Sequence, residues 1–294
     1  RKLDVSGDLI VWQDDRHGDF DVYLYDRTAD REIRLTNAPG DQINPAISGR
    51  RIVWEDHRQG DGDIFLCEYD RQARTCPEQR LTSNADEQIL PDISETRVVW
   101  VNISQSGVTD LILRNLATGQ TTQLTNDPAA QVHPAISGSG VVWEDNRNDN
   151  WDVYFYDDEH PEQGAVAITQ EVEDQRYPDI SGMEIVWQDH RHGNWDIYRY
   201  NRQKSLEQRI TTSREHQTHP SVSEGRIVWA DERNRKRNSD IFLYDGDQKP
   251  AKIQPVDPVP PPAAPPSLAF WPLNPRLIPA GTIVTVPLIA HYAD

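Results

Sequence analysis

A Val-Trp pair recurs six times along the chain, at Trp12, Trp54, Trp100, Trp143, Trp187 and Trp229, with intervals of 42 to 46 residues. A repeat of that period is one supersecondary unit that cannot cover its own apolar face, so its neighbours must supply the core. Four phrases keep their order around each Trp. The first is Pro-x-(Ile/Val)-Ser, opened by Pro45, Pro91, Pro134, Pro178 and Pro220 and reduced to Asp4-Val5-Ser6 in the first repeat. The second is the apolar run into Trp, continuing as Trp-x-Asp-x-Arg. The third is Asp-(Ile/Val)-(Tyr/Phe), begun by Asp21, Asp63, Asp152, Asp196 and Asp240. The fourth ends on Thr36, Thr82, Thr125, Thr169 or Thr211, each after Leu or Ile, with a weaker Lys252-Ile253-Gln254 in the last repeat.

Each phrase is short, rich in β-branched and aromatic residues, and bounded by Gly, Asp, Asn or Pro, which are strand signals. Four strands per period, six times over, predict an all-β six-bladed β-propeller with four antiparallel strands per blade. The Val-Trp run is apolar on both strand faces, as a blade packed on both sides requires. An open solenoid would need polar caps, and the terminal repeats read as ordinary ones. Each blade is sequential, so the ring is expected to close by side-chain packing between blades six and one rather than by a shared strand.

The phrase Pro45-Ala46-Ile47-Ser48, followed by Ile52-Val53-Trp54-Glu55-Asp56-His57-Arg58, Asp63-Ile64-Phe65 and Arg80-Leu81-Thr82, resembles the TolB-like, WD-like propeller repeat of prokaryotic periplasmic and cell-surface proteins. The resemblance runs from residue 3 to about 254. It implies that the Pro-x-x-Ser strand is innermost and lines the channel. The blade-joining loops and the loops after Trp-x-Asp-x-Arg then share one face, the top. Blade three departs, reading Trp100-Val101-Asn102-Ile103-Ser104 and Asp110-Leu111-Ile112.

Five Asp–Arg pairs (Asp14/Arg16, Asp56/Arg58, Asp145/Arg147, Asp189/Arg191, Asp231/Arg233) would share a strand face. They read as catalytic carboxylates or as loop clamps, and fivefold repetition favours the clamp, since a catalytic residue need occur only once. Asn44, Leu90, His133, Tyr177 and His219 each precede an inner-strand Pro and should ring the channel mouth. Gln42, Gln88, Gln131, Gln175 and Gln217 would make that mouth polar, a setting for a ligand or for channel water. Trp151 and Trp195 hold one repeat position, occupied by Phe20 in blade one, and either stack a ligand or cover their own loops. The ligand-binding candidates are therefore Asn44, His133, Tyr177, His219, Trp151 and Trp195. Cys67 and Cys76 flank a hairpin turn and form a disulfide if the protein is secreted, or stay free thiols if not.

A net charge of −18, from 30 Lys and Arg against 48 Asp and Glu, disfavours nucleic acid and anionic lipid. No apolar run spans a membrane. No nucleophile elbow, zinc-protease, P-loop or dinucleotide fingerprint occurs, and no cofactor is implied. Residues 1–254 form the propeller, 255–267 a proline-rich linker, and 268–294 the opening strands of a further β-sandwich-like module or a strand-donating connector. The apolar stretch 282–290 should pair with another β-sheet, in a separate subunit or a further domain rather than in its own propeller, so self-association through 268–294 is expected. The chain, without an initial Met, reads as a piece of something longer.

Together these features point to a non-enzymatic extracellular or cell-envelope propeller that binds protein or carbohydrate at its top face and scaffolds a multidomain surface protein. One alternative is a structural subunit of a surface fibre or layer joined through its C-terminal segment. The resemblance implies another, because some TolB-like propellers degrade uronic-acid polymers with a histidine-held channel metal. His133 and His219 are the candidates for that role.

Overall fold

The computed structural model describes residues 2–233 and 239–246 and the backbone of 251 and 252. It holds six four-stranded antiparallel sheets, each built from consecutive strands. The inner strands are Leu3–Ser6, Gln42–Ser48, Glu87–Ser94, Gln131–Ser137, Gln175–Ser181 and Gln217–Ser223. Each second strand carries the repeated Trp, as in Arg51–Asp56, and each third strand opens at the repeated Asp or its neighbour, as in Asp63–Glu68. The outer strands are short, two to four residues, ending with Ala251–Lys252 in blade six. The only helical element among the described residues is a single 3-10 turn, Pro161–Gln163. No helix there is long and apolar enough to cross a membrane. The linker, the segment 268–294 and Ile253 lie outside the described residues.

The core lies between blades. Leu9, Val11, Val22 and Leu24 of blade one meet Ile47, Ile52, Trp54, Phe65 and Cys67 of blade two. The same pairing recurs at the four following junctions. Polar stitches accompany it. Ser6, Ser48, Ser94, Ser137 and Ser181 each accept a bond from a backbone N–H in the next blade.

The junction between blades six and one differs, and here the expectation of a ring closed by packing is corrected. Val5 is 57% exposed, against 5% for its equivalent Ile47. Ile241 is 38% exposed, whereas Val22, Ile64, Val153 and Ile197 at the same position are at 0%. Leu3 is exposed, and Trp12 and Val228 are half-buried where their equivalents are buried. The terminal repeats are therefore not ordinary. Blade one has Leu3 at the inner-strand Pro position, and blade six has Ala230 where Gln13, Glu55, Glu144 and Gln188 reach forward to the next blade.

The five Asp–Arg pairs are clamps. Asp189, fully buried, accepts from Trp187 Nε1 at 2.9 Å, from the Arg191 backbone N–H at 3.0 Å and from the Arg191 guanidinium at 2.9 and 2.7 Å. Arg191 then lies 4.4 Å over the Tyr198 ring, whose other neighbour is Trp187 at 5.9 Å. The other four pairs repeat this arrangement. One detail differs from the sequence expectation: the strands end at the Asp, and the Arg folds back from the turn beyond. In blade three, with no Asp or Arg, Trp100 Nε1 is buried without a hydrogen-bond partner. A second tie closes the outer strand. Thr36, Thr82, Thr169 and Thr211 donate to Asp21, Asp63, Asp152 and Asp196 while accepting from the next backbone N–H.

Cys67 and Cys76 form a disulfide across the loop of blade two. Two outcomes are expected. Asp189→Ala strands the Trp187 and Arg191 donors and lowers stability by about 1–3 kcal/mol in urea melts. Cys76→Ser opens a loop of about ten residues and costs about 2.5 kcal/mol by chain entropy, read as a lower midpoint that reductant reproduces in the parent protein.

Candidate functional site

Each inner strand from blade two onward carries a bulge at its Pro, where the register with the second strand slips. The residue before that Pro is left-handed in every case: Asn44, Leu90, His133, Tyr177 and His219 all have φ of +51° or +52°. A residue preceding Pro ordinarily lies in the extended region, so this geometry needs outside support. The previous blade supplies it. Gln13 accepts from Asn44 N–H at 2.8 Å, Glu55 from Leu90 at 3.0 Å, Glu144 from Tyr177 at 2.7 Å and Gln188 from His219 at 2.9 Å. Val101 in blade three has no such acceptor for His133. The accepting residue follows the repeated Trp, and the sequence reading passed over it as variable. A polar side chain inside an otherwise apolar phrase was the signal.

The bulges bring three of the predicted residues together. The Tyr177 ring lies 4.9 Å from His133 and 4.7 Å from His219, so rings from three consecutive blades stand in a row. Beneath them, fully buried Glu144 accepts from Arg176 at 2.9 and 2.8 Å, and His133 Nδ1 lies 3.0 Å from its other oxygen. Arg176 in turn sits 4.7 Å over Trp151, which joins that residue to the row. Burial disfavours the His219 imidazolium and the charge of His133 adds to this, so its pKa is lowered.

Asn44 belongs to a separate group. Its Nδ2 donates to Glu55 at 2.9 Å, and Glu55 also lies 2.7 Å from His57 Nε2. Burial is the largest single influence and opposes the His57 imidazolium, but the Glu55 hydrogen bond and charge, with the Gly60 carbonyl and the Glu87 charge, together raise the pKa. Trp195 packs 4.9 Å from His190 on its own loop and is not brought to the row. The five glutamines do not line the mouth as expected. All are at 0% exposure and turn Nε2 back onto the backbone of the preceding loop. The loops themselves lie as predicted, because the residues after the Asp bond to the blade-joining loops, for example His57 N–H to Asp41 O at 2.8 Å. Among the described residues no three His, Cys, Asp or Glu side chains converge as a metal set.

A further polar layer was missed from the sequence. At the position after the inner Pro, blades one, three and five carry Asp4, Asp92 and Asp179, and blades two, four and six carry Ala46, Ala135 and Ser221. Each Asp reaches across to the next blade and accepts from Ile47, Ile136 or Val222 N–H at 2.7, 2.9 or 2.8 Å. Lys2 donates to Pro91 O at 3.2 Å close by. Asp92 is pushed up to about 7, chiefly by burial, with Lys2 opposing and the charges of Asp4 and Asp179 adding.

The comparisons with known proteins bear on the fold. No protein-family profile matches the sequence, and no curated protein matches it either. Among solved structures, TolB from Acinetobacter baumannii superposes with a TM-score of 0.60 at 15% identity, over 84% of this chain and 64% of that one. A putative TolB from Agrobacterium tumefaciens gives 0.57 at 17%, over 78% and 86%. The β-propeller domain of the Trilobed protease from Pyrococcus furiosus, described as having an open velcro topology, gives 0.66 at 13%, over 86% and 83%. The chain thus spans somewhat less than two thirds of the Acinetobacter protein. The class is a six-bladed β-propeller with no strand shared between blades among the described residues. Within that class its fold is the TolB-like one, shared with peptidase propellers as well.

The Asp92 arrangement has a pH consequence. The unfolded chain releases this proton near pH 4 and the folded one near 7, so between those values the folded state binds more protons. Stability from this group therefore falls as pH rises through that window. Asp92→Asn keeps an acceptor for Ile136 N–H but cannot ionise. Its melting temperature should match the parent at pH 4 and exceed it by several degrees at pH 8.

Proposed function

We propose that this protein is a non-enzymatic binding and scaffolding propeller of the cell envelope or exterior, which takes a protein or glycan at the top-face mouth of its channel. The row His133, Tyr177 and His219 carries this reading, because three rings from different blades offer stacking area around a rigid, charge-paired base of Glu144 and Arg176. Trp151 extends that surface, and the carboxylates Glu55 and Glu144 favour a neutral or cationic group over an anion. The Cys67–Cys76 disulfide supports an oxidising compartment. The fold shared with TolB fits an envelope protein. His133 and His219 flank Tyr177 instead of facing a common point with a third ligand, which is why binding is preferred here over metal-dependent chemistry.

The test is a screen of glycan and peptide arrays with the intact protein and with Tyr177→Ala. A ligand held by the row should bind the parent and lose about tenfold or more in the variant, while thermal melts of the two stay within a few degrees. That loss corresponds to about 1.4 kcal/mol, within the range for an aromatic contact. If every ligand found binds both proteins equally, the mouth is not the site.

A further inference from the structure

Among the described residues, blades six and one leave two apolar walls more exposed than their equivalents at the other junctions. On blade one the wall is Leu3, Val5 and Trp12; on blade six it is Val228, Ile241 and Leu243. At every other junction the equivalent positions meet one another. Exposed apolar surface of this kind, formed from two sheet faces that the repeat has shaped for packing, is a slot for a further element.

The same chain carries an element of matching chemistry. Residues 282–290 read Thr-Ile-Val-Thr-Val-Pro-Leu-Ile-Ala, with no charge. In an extended strand Val284, Val286 and Leu288 fall on one side and Ile283 and Ile289 on the other. A strand apolar on both faces suits a site walled by apolar side chains on both sides, and not the strongly acidic outer surface of the ring. It also reaches. Thirty positions separate Lys252, on the outer strand of blade six, from Thr282. The proline-rich part alone spans roughly 37 Å when extended. A four-stranded blade is only about 15 Å across. Tethering at that range holds the segment at an effective concentration on the order of millimolar, which favours it over a second copy.

We propose that residues 282–290 dock between blades six and one of their own ring, completing the sixth interface. The sequence pattern alone directed this segment to another subunit; the open junction gives it a place nearer at hand. The Pro287 ring, which removes a backbone donor, is tolerated because face packing does not require a continuous ladder at that position.

Hydrogen exchange of the full chain, followed by mass spectrometry at concentrations where light scattering reports a monomer, tests this. Peptides over 282–290 should be protected, and Val5→Asp or Ile241→Asp should each reduce that protection at least tenfold while the strands of blades two to four keep theirs. Leu288→Asp, which alters no residue of the ring, should expose the Val5 and Ile241 peptides by a comparable factor. Three results overturn the proposal: no protection over 282–290 in the parent, protection that survives both wall substitutions, or protection that appears only where the protein dimerises and so places a second copy in the slot.

Discussion

A blade of this protein is apolar on both faces, and the rest of the structure follows from the need to cover both. The second strands are the cause: Val53 packs forward onto blade three while Trp54 packs back onto blade one. An amphipathic sheet would have stopped at a two-layer sandwich. A two-faced one must continue until the array curves round on itself, and here six repeats make up that array. Five junctions are filled alike, and at the sixth Leu3, Val5 and Ile241 stay exposed.

Polar groups do the work that apolar packing cannot, which is to hold each blade at one angle to the next. The Trp–Asp–Arg–aromatic clamp fixes the turn beyond the second strand within a blade. Between blades, Ser, Asp, Gln and Glu side chains bind backbone N–H groups of the following inner strand. These bonds all run in the same sense, from an acceptor in one blade to an N–H in the next.

The candidate site grows out of the same stitches. A left-handed residue before Pro turns its side chain out of the inner strand, and the acceptor from the blade before keeps it there. Gln13 and Gln188 accept from the backbone, while Glu55 also binds Asn44 Nδ2 and His57. Glu144 also engages Arg176 and lies against His133, and this concentrates charge under the three rings. The mouth is therefore asymmetric, aromatic over blades four to six and carboxylate-bearing near Asn44 and Glu55, although the repeats that build it are nearly the same.

Much was legible in the sequence because it repeats. Six Trp registers and four phrases per period determined the blade count, the strand order and the structural character of the Asp–Arg pairs, since each depends only on local pattern, while the resemblance to TolB-like repeats implied which strand is innermost. The Cys67–Cys76 spacing allowed the disulfide that the hairpin then formed. What the tertiary structure decided are contacts between blades: the meeting of His133, Tyr177 and His219, the alternation of Asp4, Asp92 and Asp179 around the channel, the turning inward of the five glutamines, and the uncovered walls at the last junction. The repeat gives each of these residues its position along the chain, but not the side chain it meets. Residues some forty positions apart become neighbours only when the blades stack at a particular angle, and that angle is set by bulges and stitches whose residues vary from blade to blade.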